Sequence, residues 1–406
     1  MTPAKESIDV VIVGAGQAGL SLSHELAAAG REHVVLERGR VGEAWRRRWD
    51  SFCLVIPNWT VQLPGGHYRG NDPHGFMPKR EIVDHLVGYA KRFRAPVREG
   101  VVVTSLEGED GAFLLRTSAG EIRARVVVLA SGGYQRPHRP AAAAQLPPSV
   151  HAIDAEDYAN PSALPPGNVL VVGSGQTGCQ LAEEISEAGR DVSLACGRAP
   201  WIPRRFEGRD TIAWINDTPY FDASLTDLPS SAARLLANPQ MSGRSGGHDL
   251  NYRTLQVQGV QLLGHFIGVA DGRAHFADDV AESVAFGDAR YGQICELIRK
   301  TCAARSERAP EMPTPPSFAA NGPESVALRD FGTVIFTSGF RPDYASWVKF
   351  PEAFDGDGFP IQQDGSSTVV PGLHFMGVHF QRKRKSATFL GVGEDATVLG
   401  KILIAQ

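Results

Sequence analysis

The stretch IDVVIVGAGQAGLSLSHELAAAG, residues 8–30, decides the fold. A β-type apolar run leads into Gly14, Gly16 and Gly19, and an amphipathic helix opens at once. Strand, G-x-G-x-x-G and helix in this order make a nucleotide-binding turn. The glycines permit a tight bend and bring backbone N–H groups, with the helix N-terminus, up to a pyrophosphate. The pattern returns in NVLVVGSGQTGCQLAEEISEAG, residues 168–189, with Gly173, Gly175 and Gly178. Two copies predict two dinucleotides in one enzyme, with electrons passing between them.

The residues that follow each turn differ. Glu37 closes the strand HVVLE, 23 positions beyond Gly14. A carboxylate there accepts hydrogen bonds from both ribose hydroxyls of an adenosine. The same offset from Gly173 lands on Cys196, with Arg198 two residues later and Arg204 and Arg205 close behind. Guanidinium groups bind a 2′-phosphate through paired, charge-assisted hydrogen bonds, whereas a carboxylate repels it. The first site therefore reads as FAD and the second as NADPH, with a solvated arginine cluster as the alternative. Cofactor contacts are expected at Gly14, Gly16, Gln17, Ala18, Gly19, Glu37 and Arg38 in the first site. In the second they are expected at Gly173, Ser174, Gly175, Gln176, Thr177, Gly178, Arg198 and Arg204.

Composition narrows the class. A chain of 406 residues corresponds to roughly two to three domains. Its 42% hydrophobic and 21% charged residues are ordinary for a globular protein. A net charge of −4 gives no electrostatic case for nucleic acid or an anionic membrane. No apolar stretch approaches a bilayer span, and the first strand begins almost at the N-terminus, without a secretory signal. A cytoplasmic protein acting on a small molecule is expected, as a monomer or a homo-oligomer. Cys53, Cys179, Cys196, Cys295 and Cys302 form no C-x-x-C pair. Reduced thiols follow, and the dithiol that disulfide reductases of similar architecture need is missing. No His/Cys cluster has metal-ligand spacing.

Outward from the first turn, residues 39–70 are irregular and rich in Trp, Arg and Gly, which marks a functional segment. Trp45, Trp49 and Trp59 are expected to wall the flavin. A helix is predicted at 79–93, then strands near 101–106, 113–117 and 122–130. Pro-rich linkers at 136–148 and 160–167 lead into the second nucleotide unit. After another Pro-rich stretch, segments 332–344 and 371–380 read as buried strands, and residues 391–405 as a helix. The expected fold is α/β, with two Rossmann-like units and an NADPH domain inserted into a split FAD domain. The boundaries fall at 1–160, 161–325 and 326–406. The basic run Arg382–Lys385 is expected to be a solvated loop, with a place at the border of the active-site mouth as the alternative.

Both turns, VGEAWRRRWDSF, PNWTVQLPG, VVVLASGGYQRPHRP, VIFTSGFRPDY and the final GVGEDA helix resemble the class B flavoprotein monooxygenases, and most nearly the short bacterial relatives of the flavin-containing and YUCCA-type enzymes. The resemblance implies that Gly42 and Trp45 line FAD and that Asn58 stands beside flavin and nicotinamide. It places Ser131–Gly132 and Ser338–Gly339 at the turns joining the domains, and Asp395 at the cofactor on the last helix. The family linker F-x-G-x-x-x-H-x-x-x-Y/W is matched here only by its final aromatic, in the register Pro148, Val150, Asp154, Tyr158. The implied reaction is reduction of FAD by NADPH, formation of a C4a-hydroperoxide with dioxygen, and oxygenation of a small nitrogen or sulfur nucleophile or a carbonyl. A reductase serving a separate electron acceptor and a nucleotide-sensing regulator are the competing classes.

Overall fold

The structure, a computed structural model, describes residues 6–320 and 322–406. Its first sheet is built on β1 (Glu6–Val13), whose Val10, Val11 and Ile12 are fully buried. Such uninterrupted apolar runs suit a parallel strand covered on both faces. β1 pairs in parallel with β2 (His33–Glu37) on one side and with β6 (Gly120–Leu129) on the other. β3 (Val97–Glu99) extends the edge beyond β2. β4 (Val103–Glu109) and β5 (Ala112–Thr117) form an antiparallel pair joined to the start of β6.

The second sheet is parallel throughout, in the order β10-β9-β8-β11-β7. Its strands are β7 (Ala152–Asp154), β8 (Asn168–Val172), β9 (Val192–Ala195), β10 (Gln261–Leu263) and β11 (Phe331–Phe336). The expected boundaries at 161 and 325 are therefore too narrow. β7 precedes the first and β11 follows the second, yet both hydrogen-bond inside this sheet. Linker proline content concealed three-residue β7, because so short a strand is held by its neighbour rather than by its own sequence.

The chain then returns to the first sheet. β12 (Gln362–Gln363), β13 (Ser366–Ser367) and β14 (Leu373–Phe375) add to it, with β14 parallel to the end of β6. Helix α1 (Gln17–Ala28) follows β1, and α2 (Lys79–Arg92) lies on the same face. α3 (Gln176–Glu187) follows β8 in the second unit, and α4 (Val280–Ala304) covers that unit further along. α5 (Val392–Ile404), from the far end of the chain, packs against α1. The helices predicted at 79–93 and 391–405 thus form within a residue or two of those limits. No helix among the described residues is long and apolar enough to cross a membrane.

Candidate functional site

The two glycine turns are built alike. Gly14 has φ +113°, and a methyl carbon there would lie 2.5 Å from the Ala130 carbonyl oxygen. Gly173 has φ +106°, and its methyl would meet the Thr337 carbonyl carbon at 2.8 Å. At Gly19 and Gly178 an added methyl would sit 1.9 and 2.0 Å from the carbonyl oxygens of Gly14 and Gly173. Each third glycine therefore lets its helix touch the preceding turn, and no larger residue fits. Ala130-Ser131-Gly132 ends β6 and Thr337-Ser338-Gly339 ends β11, so each turn is backed by a matching crossing segment. Ser338 Oγ donates to the Val172 carbonyl at 3.1 Å. The repeated A/T-S-G was legible in the sequence, but the backing role of Ala130 and Thr337 was not.

In the first cradle, Glu37 is buried at the tip of β2. One carboxylate oxygen accepts from Ala15 N at 2.8 Å and the other from Gly39 N at 2.9 Å. The side chain is thereby fixed beside the turn, with acceptor capacity left on each oxygen. Arg38 is exposed. Gly42 donates its N–H to Ala15 O, and Trp45 Nε1 donates to Gln17 Oε1 at 3.0 Å. Trp45 also stacks on Phe389 at 5.3 Å between ring centroids, forming a wall at the start of α1. Asp395, in the first turn of α5, is 1% exposed. Burial pushes its carboxyl up to about 6, against hydrogen bonds from Ser386 and Arg382. One of its oxygens has no partner among the described residues. A methyl carbon on Gly16 would meet nothing within 4 Å. An open glycine turn, a pinned acid and an orphaned carboxylate oxygen suit a hydroxyl-rich dinucleotide.

The second cradle is covered differently. A methyl carbon on Gly175 would lie 3.3 Å from the methyl of Ala237. Gln176 Nε2 donates to Pro239 O at 3.1 Å, and Gln240 Nε2 donates to Ser174 O at 2.8 Å. Residues 237–240 thus form a strap across the turn. Arg234 ties the strap to the first unit through ion pairs with Asp355 and Asp357, its guanidinium stacked on Phe359. Ser174, expected at the cofactor, spends its hydroxyl inside the protein, accepting from Gly197 N at 2.7 Å and bonding to Tyr252 OH. Cys196 is fully enclosed, and burial pushes its thiol up, so it is a packing residue. Arg198 is exposed just beyond β9 and forms no hydrogen bond or ion pair among the described residues.

Several expectations fail on burial. Arg204 is 2% exposed and cannot reach a phosphate. Its guanidinium pairs with Asp210 at 2.6 Å, donates to Val55 O at 2.8 Å and lies over Phe76. Arg205 is committed to the carbonyls of Gly246 and Gly247. Asn58 is also turned inward. Its amide donates to Asp72 O at 2.9 Å and accepts from Met77 N at 2.7 Å, stapling the 72–77 loop rather than facing a ring. Trp49 sits in the core of the second unit, and Trp59 borders a cavity of about 450 Å³ with His74, Arg205, Arg209 and Asp217. The basic run is not a free loop: Lys383 and Lys385 both reach Asp222 and Glu394, and Arg382 reaches Asp364. In the linker, Asp154 pairs with Arg139 and Tyr158 is buried in the second core.

Known proteins resemble this chain over half or more of its length. The family profile described as pyridine nucleotide-disulphide oxidoreductase matches residues 11–225. The chain is similar to an uncharacterized CzcO-like oxidoreductase of Geobacillus kaustophilus, with 32% identity over 394 residues and 97% of each chain covered. It is also similar to the indole-3-pyruvate monooxygenase YUCCA1 of Oryza sativa subsp. japonica, with 29% identity over 210 residues, 50% of this chain and 51% of that one. Among solved structures, a doubly substituted flavin monooxygenase of Stenotrophomonas maltophilia superposes with a TM-score of 0.69 at 18% identity, covering 98% of this chain and 99% of that one.

Proposed function

This chain belongs to the pyridine nucleotide-disulphide oxidoreductase family, and on that premise we propose that it is an NADPH-dependent flavoprotein monooxygenase. FAD and NADPH are its cofactors. The observation that carries the reading is the pair of turns with unlike neighbours: a pinned carboxylate after the first, and an exposed, unpartnered arginine after the second. The cysteines support dioxygen over a disulfide as the acceptor, because all five are buried and free. The relatives named for monooxygenation support the same direction.

In this reading Glu37 holds the FAD ribose, with Gly42 and Trp45 along the same cofactor and Asp395 offering its unpaired oxygen to a cofactor hydroxyl. Arg198 holds the NADPH 2′-phosphate. Bound FAD supplies hydride acceptance and activation of dioxygen, chemistry that belongs to the cofactor. The chain contributes orientation and the exclusion of water, to which the strap over the second turn adds. The substrate is a small nitrogen or sulfur nucleophile or a carbonyl compound, and the reaction takes place in the cytoplasm.

The test is a mass screen of amines, sulfides, indoles and ketones with enzyme, NADPH and oxygen. A product heavier by one oxygen atom, formed in step with NADPH consumption, is expected. NADPH oxidation that reduces an added quinone or ferredoxin and never yields an oxygenated product would establish a reductase instead.

A further inference from the structure

β9 and β10 are neighbouring parallel strands, with Ala195 registered against Leu263. Two basic residues stand just past their carboxyl ends: Arg198 after β9 and His265 after β10. In a doubly wound sheet this is the edge where ligands bind. The chain between β9 and Arg198 is tightly held. Cys196 N donates to Leu263 O, Gly197 N donates to Ser174 Oγ, and Gly197 O accepts from Tyr252 OH at 2.6 Å.

His265 is held just as firmly. Its N–H donates to Asp279 Oδ1 at 2.9 Å, its carbonyl accepts from Ala277 N at 2.9 Å, and its Nδ1 lies 3.0 Å from Asp279 Oδ2. A carboxylate only accepts, so Nδ1 carries the proton and Nε2 is left for another partner. A methyl carbon on Gly197 would lie 3.6 Å from Cε1 of this ring and 3.7 Å from Nε2. The free side of the imidazole therefore faces the base of Arg198. The side chain is 55% exposed, so a ligand can reach it.

We infer that His265, oriented by Asp279, is a second reader of the 2′-phosphate and so contributes to the preference for NADPH over NADH. This rests on the reading of the second cradle as the NADPH site. Asp279 lies against the imidazole, and the Tyr252 hydroxyl is already spent on Gly197 and Ser174. A doubly charged phosphate would bridge Arg198 and His265 through charge-assisted hydrogen bonds. NADH brings no such anion.

The experiment measures kcat/KM for NADPH and NADH from pH ~6 to ~9 in wild type, His265→Gln, Asp279→Asn and Arg198→Ala, a range that spans imidazole titration. The phosphate's own titration near ~6 is common to all four proteins, so the quotient of wild type to His265→Gln isolates the imidazole. For NADPH that quotient is expected to reach about fivefold, carried by KM. Asp279→Asn, a positioning change, shifts the same profile partway. NADH constants are expected to change far less than NADPH constants in each variant. A quotient of one at every pH, or an equal loss with NADH, overturns the inference in favour of a structural role for the pair. If Arg198→Ala abolishes NADPH preference while His265→Gln leaves it intact at every pH, the inference fails and the cradle reading stands. If wild type prefers NADH, or Arg198→Ala keeps its NADPH preference, the cradle reading itself fails.

Discussion

The two cradles share a backbone and differ in what surrounds it. In the first, Gly16 opens onto free space and a buried acid at the tip of β2 is pinned by two backbone N–H groups. In the second, Gly175 lies beneath Ala237, the residue equivalent to the acid is a buried thiol, and an unpartnered arginine stands beyond it. The turn determines only that a pyrophosphate can be held. Identity of the nucleotide and access to it depend on residues outside the turn.

The strongest way to break the comparison is to attack what the cradles share. Gly178→Val would place side-chain carbon 2.0 Å from the Gly173 carbonyl oxygen, with no flexible neighbour to yield. A destabilisation above ~4 kcal/mol is expected, the range reserved for severe core or backbone conflicts. Gly19→Val should behave alike, and thermal unfolding of the two variants checks the equivalence. If one unfolds the protein and the other is silent, the cradles are not built alike.

Asp395 sharpens the difference through pH. Its carboxyl is raised to about 6 from an ordinary 3.8, so between these values the folded state binds a proton that the unfolded state releases. Stability from this group is therefore lost as pH rises through the window, costing on the order of 3 kcal/mol at neutral pH. In cofactor-free protein, Asp395→Asn should match wild type near pH ~4 and exceed it by a few kcal/mol near pH ~7. Denaturant melts at the two pH values read this directly, and a pH-independent difference would refute it.

Glu37→Gln replaces one of two acceptors with a donor that faces a backbone N–H. A loss of about 1–2 kcal/mol and weaker FAD retention during purification are expected. Cys196→Ala at the matching position of the second cradle should leave NADPH KM within about twofold, because a buried thiol contributes packing and no ligand contact. The smallest effect concerns the pairs that bridge the two units. Lys383→Met removes partly exposed contacts with Asp222 and Glu394 and should cost under ~1 kcal/mol, most visible at low salt.

Legibility followed the same division. Strand, turn and helix around Gly14 and Gly173 were readable because their backbone demands fall on contiguous residues. Glu37 and Cys196 were placed by offset at matching strand ends, with Arg198 two residues beyond, because strand length sets that edge. Arg204 and Asn58 were misplaced for one reason. Residue type and spacing say that a guanidinium or an amide is near, while burial against Asp210, Val55 and Phe76, or against Asp72 and Met77, decides where it points. The basic run was misjudged likewise, because Asp222 lies far from it in sequence.

The amino-acid sequence by itself determined the duplicated α/β plan, the two glycine turns with unlike neighbours and the lack of a C-x-x-C pair. Those are encoded locally, in glycine spacing, apolar period and cysteine positions. Only the tertiary structure decided that a strap crosses the second turn, that β7 and β11 belong to one sheet, and that His265 faces the loop carrying Arg198. Each of these depends on partners dozens of residues apart, whose meeting is set by packing rather than by any short stretch of chain.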